Sequence, residues 1–318
     1  MEVAHQPVMW KWLLLLSLAL LGGVAGAGQR QARPVQIEMK NVRLHVDEGI
    51  VLDIRILRGE MTSRGSSAPL FDDQRSFVLH VASGEVAMDT TSLGNLMNRH
   101  IFAYDGAPLK DITIRPAQDQ QIEQRGTLKR GISVPFSVRA SVSATADGRL
   151  QLHAESVKAI GVPAKGLMNL FGLELDDVVD LKDRRGIAVT DNDIIITPGQ
   201  VLPPPEIRGH LLRAEMRNGR LYQTFAPAAG RPPRRLSPPD PRAPNYIYFS
   251  DNDITFGKLT MSGADLQLID QDPKDPFDFF PQKYNVQLVA GYSKNTPQKG
   301  LKTYMPDYDD LRNDLSRK

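Results

Sequence analysis

The stretch VPFSVRASVSA (Val134–Ala144), followed by the turn letters ADG and the return segment RLQLHAES (Arg149–Ser156), decides the fold. Apolar residues occupy every second position of the first segment, so they share one face of an extended strand. Asp147-Gly148 is a turn signal, and the return segment is then the antiparallel partner. Eleven residues span about 36 Å as a strand, roughly twice the usual length. The sequence therefore predicts a long hairpin.

The same pattern recurs elsewhere in the chain. HLLRAEMRNGRLYQTF (His210–Phe225) places Asn218-Gly219 between two strand-like segments. Two similar phrases, TDNDIIIT (Thr190–Thr197) and SDNDITFG (Ser250–Gly257), also lie between strand-like segments. Asp and Asn tolerate left-handed backbone, so we expect both phrases to be hairpin turns. A calcium loop needs different spacing and a distant glutamate, so we expect no metal at either phrase.

Two segments depart from the strand pattern. TTSLGNLMNRHIF (Thr90–Phe102), with Thr91 or Ser92 as the N-cap, and AKGLMNLFGLELDDVVDL (Ala164–Leu181) have apolar residues at helical spacing. These short amphipathic helices either complete an ordinary core or line a cavity for an apolar ligand. The residues that would contact such a ligand are Leu93, Leu96, Met97, Ile101, Leu167, Met168, Leu170 and Phe171.

The N-terminal segment predicts export. WLLLLSLALLGGV (Trp12–Val24) follows Lys11 and precedes the small residues Ala25–Ala27. Its 13 residues are too few for a bilayer, which needs about 20, so we expect residues 1–27 to be a signal peptide, translated from Met1 or Met9. The chain has no cysteine and no N-x-Ser/Thr sequon, which favours the periplasm or outer envelope of a bacterium.

One segment divides the remaining chain. APAAGRPPRRLSPPDPRAP, residues 226–244, is rich in proline, which cannot donate to a β-ladder. We interpret it as a linker or surface loop, the alternative being a proline-rich recognition sequence. It separates a β-rich domain, residues 28–225, from a C-terminal extension, residues 245–318. The extension is small for an independent core, so we expect it to pack on the main domain through ITFGKLTM (Ile254–Met261).

The sequence contains no recognisable catalytic motif. Its six histidines form no metal-binding pair, and no nucleophile elbow or phosphate-binding loop is present. The acidic run LIDQDPKDPFDFF (Leu268–Phe280) begins like a calcium loop, but Lys274 and Asp275 break the pattern, so we interpret its Asp-Pro pairs as turns. The net charge is +2 without a basic patch. We therefore expect no catalytic, cofactor or metal site and no nucleic-acid partner.

The block Phe77–Phe225 resembles a known family. Its segments LGNLMNRHIF, GISVPFSVRASVSATADGRLQLHAESVKAIGVPAKGLMNLFGLEL and GQVLPPPEIRGHL are similar to exported bacterial proteins of the tubular lipid-binding type, among them phospholipid-binding envelope proteins. The resemblance implies an α+β fold in which a long, strongly curved antiparallel sheet wraps around a few short helices. Such an arrangement encloses an apolar tube.

Together these features predict a non-enzymatic envelope protein that binds or shuttles a lipid or other acyl chain. Transient contact with a membrane surface would accompany that activity. The alternative is a structural or protein-interaction module of the cell envelope with a filled core. A continuous internal cavity favours the first function and a packed interior favours the second.

Overall fold

The computed structural model describes residues 33–130, 132–160, 186–227 and 234–316. These residues belong to one compact unit, Gln31–Lys318. Most of the described secondary structure is β-strand, and the helices are few and short. The α+β fold class predicted from the sequence is therefore confirmed.

The strands are, in chain order, β1 (Val35–Asp47), β2 (Ile50–Ser63), β3 (Phe77–Asp89), β4 (Leu109–Pro116), β5 (Ile122–Arg130), β6 (Ile132–Ala144), β7 (Leu150–Ala159), β8 (Ile187–Thr190), β9 (Asp193–Ile196), β10 (Glu206–Arg217), β11 (Arg220–Ala226), β12 (Tyr246–Asp251), β13 (Ile254–Phe256), β14 (Leu259–Met261), β15 (Asp265–Asp270), β16 (Phe277–Phe279), β17 (Tyr292–Asn295) and β18 (Leu301–Met305). The helices are α1 (Thr90–Leu96), α2 (Pro198–Val201), α3 (Tyr284–Ala290) and α4 (Tyr308–Ser316). A π-helical turn, Met97–Ile101, continues α1, and 3₁₀ turns occur at Gln118–Gln120 and Pro281–Lys283.

The described strands form two large sheets and one small one. A ten-stranded sheet has the order β10-β11-β3-β2-β1-β12-β15-β18-β17, with β16 pairing the second half of β1. A six-stranded sheet has the order β4-β5-β6-β7-β9-β8, and β13 pairs β14 alone. Both large sheets are open between their edge strands. The strongly curved wrap around the helices that the resemblance implies therefore stays a prediction.

The two long hairpins expected from the sequence are present. Strand β6 pairs β7 through the turn that ends at Gly148, whose φ is +81°. Strand β10 pairs β11 around Asn218 and Gly219, with φ angles of +51° and +75°. Consecutive positive φ angles match the right-handed twist of a hairpin, and Asn-Gly tolerates them with little strain. Local turn chemistry thus fixes both registers.

The two Asp-Asn-Asp phrases have different roles. Asp191, with a φ of +52°, lies in the turn that joins the paired strands β8 and β9, as predicted. The second phrase follows β12 and leads into β13, which is not a partner of β12. The hairpin prediction is wrong here, because β12 pairs β1 and β15 instead. The phrase is still a turn, in which Asp253 accepts a hydrogen bond from the Gly263 amide at 3.0 Å.

The C-terminal region joins the main sheet through β12 and β16, both of which pair β1. We expected the contact through Ile254–Met261; this segment forms the two-stranded sheet and does bond the main domain, at the loop of Pro69 and Phe71, but the main sheet itself is joined by β12 and β16. The reason is burial. Every residue from Tyr246 to Ser250 is buried, so this strand lies in the interior, and Phe249, Phe277 and Phe279 belong to the main core.

Residues 234–244 of the proline-rich segment have no regular structure but contact the sheet. Asp240 and Gln267 exchange two hydrogen bonds, at 2.7 and 3.0 Å. Ala243 packs with Tyr246, Tyr248 and Ile269. This part is therefore a surface loop held against β12 and β15.

Candidate functional site

Helix α1 is fixed at its first turn by hydrogen bonds. The Asp89 carboxylate accepts from the Ser92 amide at 2.6 Å, so Asp89 is the N-cap rather than the predicted Thr91 or Ser92. Ser92 is instead buried, and its hydroxyl accepts from the Val51 amide at 3.2 Å. The sequence pattern located the helix but not its N-cap, because Ser92 faces β2 and Asp89 is left to accept the amide. These bonds hold the apolar face of α1 against β2.

The four predicted ligand-contacting residues on this helix and the turn after it lie together. Leu93, Leu96, Met97 and Ile101 are buried, and all four line one apolar cavity of about 70 Å³. The rest of the described lining comes from α2 and from strands of both large sheets, and Gln223 is its polar member. The other four predicted residues, Leu167, Met168, Leu170 and Phe171, lie outside the described residues.

Two further apolar cavities are close to this one in the fold. A cavity of about 60 Å³ shares Met39, Leu44, Leu79 and Ile207 with it. A cavity of about 80 Å³ lies on the six-stranded sheet. Leu152 of β7 lines this cavity, and Leu150, two positions earlier on the same strand, lines the central cavity. Residues two apart on a strand share a face. By these lining residues the central cavity lies close to each of the other two, and we call the three together the apolar row.

The size of the cavities limits what they can hold. A dry cavity of about 150 Å³ accommodates a benzene molecule. The central cavity, at about 70 Å³, is half of that. Each cavity alone thus accepts a few apolar atoms, and an acyl chain would fit only if the cavities joined.

A second feature is polar and lies in the C-terminal region. Asp270, Asp275 and Asp307 offer carboxylate oxygens within 4.8 Å of one another. Asp270 accepts hydrogen bonds from Asn245 Nδ2 at 2.9 Å and from the Asp272 amide at 2.8 Å. Burial, opposed by these bonds and reinforced by neighbouring carboxylates, raises the pKa of Asp270 to about 6. Burial and the same negative surroundings raise the pKa of Asp307 to about 7.

Next to these carboxylates, His45, Asp278 and Asp309 form a second group whose nitrogen and oxygen atoms also lie within 4.8 Å of one another. His45 Nε2 is 2.9 Å from Asp278 Oδ1 and hydrogen-bonds Asp278 Oδ2 at 3.0 Å. The imidazole stacks on Phe280, with ring centroids 5.4 Å apart, and meets the edge of Tyr308 at 5.6 Å. We call these three residues the His45 triad.

The two polar groups are linked through the backbone. The Asp278 amide donates to Asp307 Oδ1 at 2.7 Å. Of the acidic run Leu268–Phe280, the structure therefore brings Asp270, Asp275 and Asp278 together with distant residues that we did not predict. The sequence signal that pointed to them was compositional: residues 245–318 contain eleven aspartates and no glutamate.

Comparison of the chain with family models, with curated proteins and with solved structures finds no match in any of the three. The resemblance to tubular lipid-binding proteins therefore stays a prediction. Among the described residues, no helix has the length and apolar character required to cross a bilayer.

Proposed function

We propose that the protein is a non-enzymatic carrier of the bacterial envelope that binds a lipid acyl chain in its interior. The observation that supports this most is the apolar row, centred on the cavity behind Leu93, Leu96, Met97 and Ile101. Part of the proposal is that the sheets curve around the short helices to enclose the chain, as in tubular lipid-binding proteins. Transient contact with a membrane surface would load and release it.

The energetics favour an apolar occupant. An unfilled apolar cavity costs about 24 cal/mol per Å³ of volume, which is roughly 1.7 kcal/mol for the central cavity. Each methylene that leaves water contributes about 0.8 kcal/mol. A chain of ten methylenes would therefore gain about 8 kcal/mol before the costs of ordering and of opening the row.

Opening the row requires side chains to move, and its walls contain residues suited to that. Met39 and Met97 line the central cavity, and Met39 also separates it from the 60 Å³ cavity. Unbranched methionine side chains change rotamer readily and fill irregular space. We therefore expect the ligand to join the cavities by displacing methionine side chains rather than by moving strands.

The small size of each cavity favours a second function. The three voids described above, each 60–80 Å³, are close to the packing of an ordinary core. A structural or protein-interaction module of the envelope would need no larger space. The two functions differ in one measurable property, which is whether folded protein takes up an acyl chain.

The test uses the exported protein extracted without harsh detergent. Native mass spectrometry should detect co-purifying lipid, and a fluorescent fatty acid or phospholipid should bind saturably. Val86→Phe, which fills the central cavity, should reduce uptake at least tenfold while leaving the melting temperature unchanged or higher. Val134→Phe is the matched control, because Val134 is buried but lines none of the three cavities.

The outcomes separate the two functions. If folded wild-type protein carries no lipid and takes up neither probe, the carrier proposal fails and the packed module replaces it. If both valine variants lose uptake equally, the loss reflects general disturbance of the core and the apolar row is not the binding site. Met97→Asp should also abolish uptake, and a circular-dichroism melt restricts that comparison to folded protein.

A further inference from the structure

The His45 triad has the composition of a metal site, and we propose that His45, Asp278 and Asp309 bind a divalent transition-metal ion, Zn²⁺ or Mn²⁺. This goes beyond the carrier function and does not depend on it. The sequence-based expectation was that the chain has no metal site, because its acidic run lacks calcium-loop spacing. Sequence spacing could not reveal the triad, because its three residues come from β1, β16 and α4.

The donor set determines which ion fits. An imidazole nitrogen suits Zn²⁺ and other transition metals, while carboxylates also suit Mn²⁺. Ca²⁺ takes six to eight oxygen ligands, so a site with a nitrogen donor and two carboxylates favours a transition metal over Ca²⁺. Two carboxylates and a neutral imidazole also balance the charge of a divalent cation.

The spacing of the donors agrees with one shared ion. Metal–nitrogen and metal–oxygen bonds of about 2.0–2.2 Å place neighbouring ligand atoms roughly 3.0–3.4 Å apart. His45 Nε2 already lies 2.9 and 3.0 Å from the two oxygens of Asp278. Asp309 lies within 4.8 Å of both, so a small side-chain rotation completes the set.

The two fixed ligands sit on paired strands. Strand β1 pairs β16 in parallel, with Arg43 opposite Asp278, so His45 lies diagonally across from Asp278 on the same face. Phe280 and Tyr308 pack against the imidazole and restrict its rotation. A site whose ligands are held before the ion arrives loses little conformational entropy on binding.

An independent observation points to a missing ligand. Among the described residues, the buried side-chain polar atoms that lack a hydrogen bond are Asp278 Oδ1 and Asp309 Oδ1. Both belong to the triad. Asp278 is only 4% exposed, and its Oδ1, although 2.9 Å from His45 Nε2, has no hydrogen bond because that nitrogen bonds Oδ2, which is unfavourable for a buried carboxylate oxygen. Arg312 Nη2 lies 3.0 Å from Asp309 Oδ1 but does not satisfy it as a hydrogen-bond donor.

The surroundings provide access and negative charge. The Asp309 side chain is 36% exposed, so an ion can reach the triad from solvent and keep water as a further ligand. The exposed Asp275 adds negative charge next to the site, and Asp307 holds the Asp278 backbone through its amide. Residues that orient ligands in this way strengthen metal binding.

The test uses the full exported chain, purified without a histidine tag and dialysed against EDTA. Equilibrium dialysis against Zn²⁺, Mn²⁺ or Ca²⁺, with the metal content measured by mass spectrometry, should give about one bound Zn²⁺ or Mn²⁺ per chain. Asp278→Asn and Asp309→Asn should each weaken that binding at least tenfold. Asp310→Asn is the matched control, since Asp310 is the exposed neighbour of Asp309 on the same helix.

Loss of binding is interpreted only for variants that fold. A circular-dichroism melt without metal identifies folded protein, and if Asp278→Asn does not fold, the half-exposed Asp309→Asn carries the test alone. The proposal is overturned if wild-type protein binds no Zn²⁺ or Mn²⁺ saturably, if Ca²⁺ binds more tightly than both, or if Asp309→Asn binds as well as Asp310→Asn. None of these outcomes bears on lipid uptake, so the two proposals fail separately.

Discussion

The buried carboxylate Asp270 should make the metal-free protein less stable as pH rises through 6. Its pKa is about 6 in the folded protein, chiefly because burial disfavours the charged form, and about 3.8 in the unfolded chain. Between these values the folded state binds more protons than the unfolded state. The contribution of Asp270 to the free energy of unfolding is therefore fully present below pH 4 and is lost as pH rises to about 7.

The size of the effect follows from the shift. Each pKa unit corresponds to 1.36 kcal/mol, so the full shift would be about 3 kcal/mol. Solvent near the group and relaxation of its surroundings screen part of that, and we expect roughly 1–2 kcal/mol. The Asn245 side chain and the Asp272 amide stabilise the carboxylate but do not outweigh burial.

The measurement is urea unfolding, followed by far-ultraviolet circular dichroism in EDTA at several values between pH 4.5 and 7.5. The variant is Asp270→Asn, and the quantity compared is the difference in free energy of unfolding between it and wild type. Contributions common to both proteins cancel in that difference. Because Asp270 raises the pKa of Asp307, its removal also lowers the pKa of Asp307, which increases the difference in the same direction.

We expect wild type to lose about 1–2 kcal/mol relative to Asp270→Asn as the pH rises across this range. An Asn at this position presents an amide to one of two donors, which adds a pH-independent destabilisation of the variant to the pH-dependent difference. Only the change of this difference with pH tests the reasoning. A difference that stays constant, or that grows in favour of wild type at higher pH, would refute it.

Two further predictions concern the elements around the apolar row. Asp89→Ala removes the acceptor for the Ser92 amide and should lower the free energy of unfolding by about 0.5–2 kcal/mol in urea titrations; an unchanged midpoint would show that the cap does not hold α1. Gly199→Ala would place its Cβ 1.2 Å from the Ile207 carbonyl oxygen, so it should cost several kcal/mol, on the order of 3–4, or prevent folding. Gly65→Ala, which meets nothing within 4 Å, should leave the melting temperature unchanged, and equal melting temperatures for the two variants would contradict the packing of α2.

Much of the sheet structure could be predicted because its signals are local. The alternation in Val134–Ala144 and the Asn218-Gly219 turn each specify a hairpin within about twenty residues of chain. The predictions that failed concern strands whose partners are distant in the sequence. Strand β12 pairs β1 from the other end of the chain, and its residues Tyr246–Ser250 are buried without alternation. Neither periodicity nor turn chemistry can identify the partner of a strand buried on both faces.

The candidate sites follow the same division between local and distant information. Half of the predicted apolar contacts could be placed together from one helical pattern, because Leu93, Leu96, Met97 and Ile101 share a face of adjoining helical turns. The His45 triad has no such pattern: its histidine is separated from Asp278 by 233 positions. Each of its residues looks ordinary in its own segment, as a strand histidine, a turn aspartate or a first-turn helix aspartate. The pairing of β1 with β16 and the packing of α4 against β16 give them a common location. Tertiary structure therefore brings together the residues of the proposed site, although the local sequence led us to interpret the segment around Asp278 as turns.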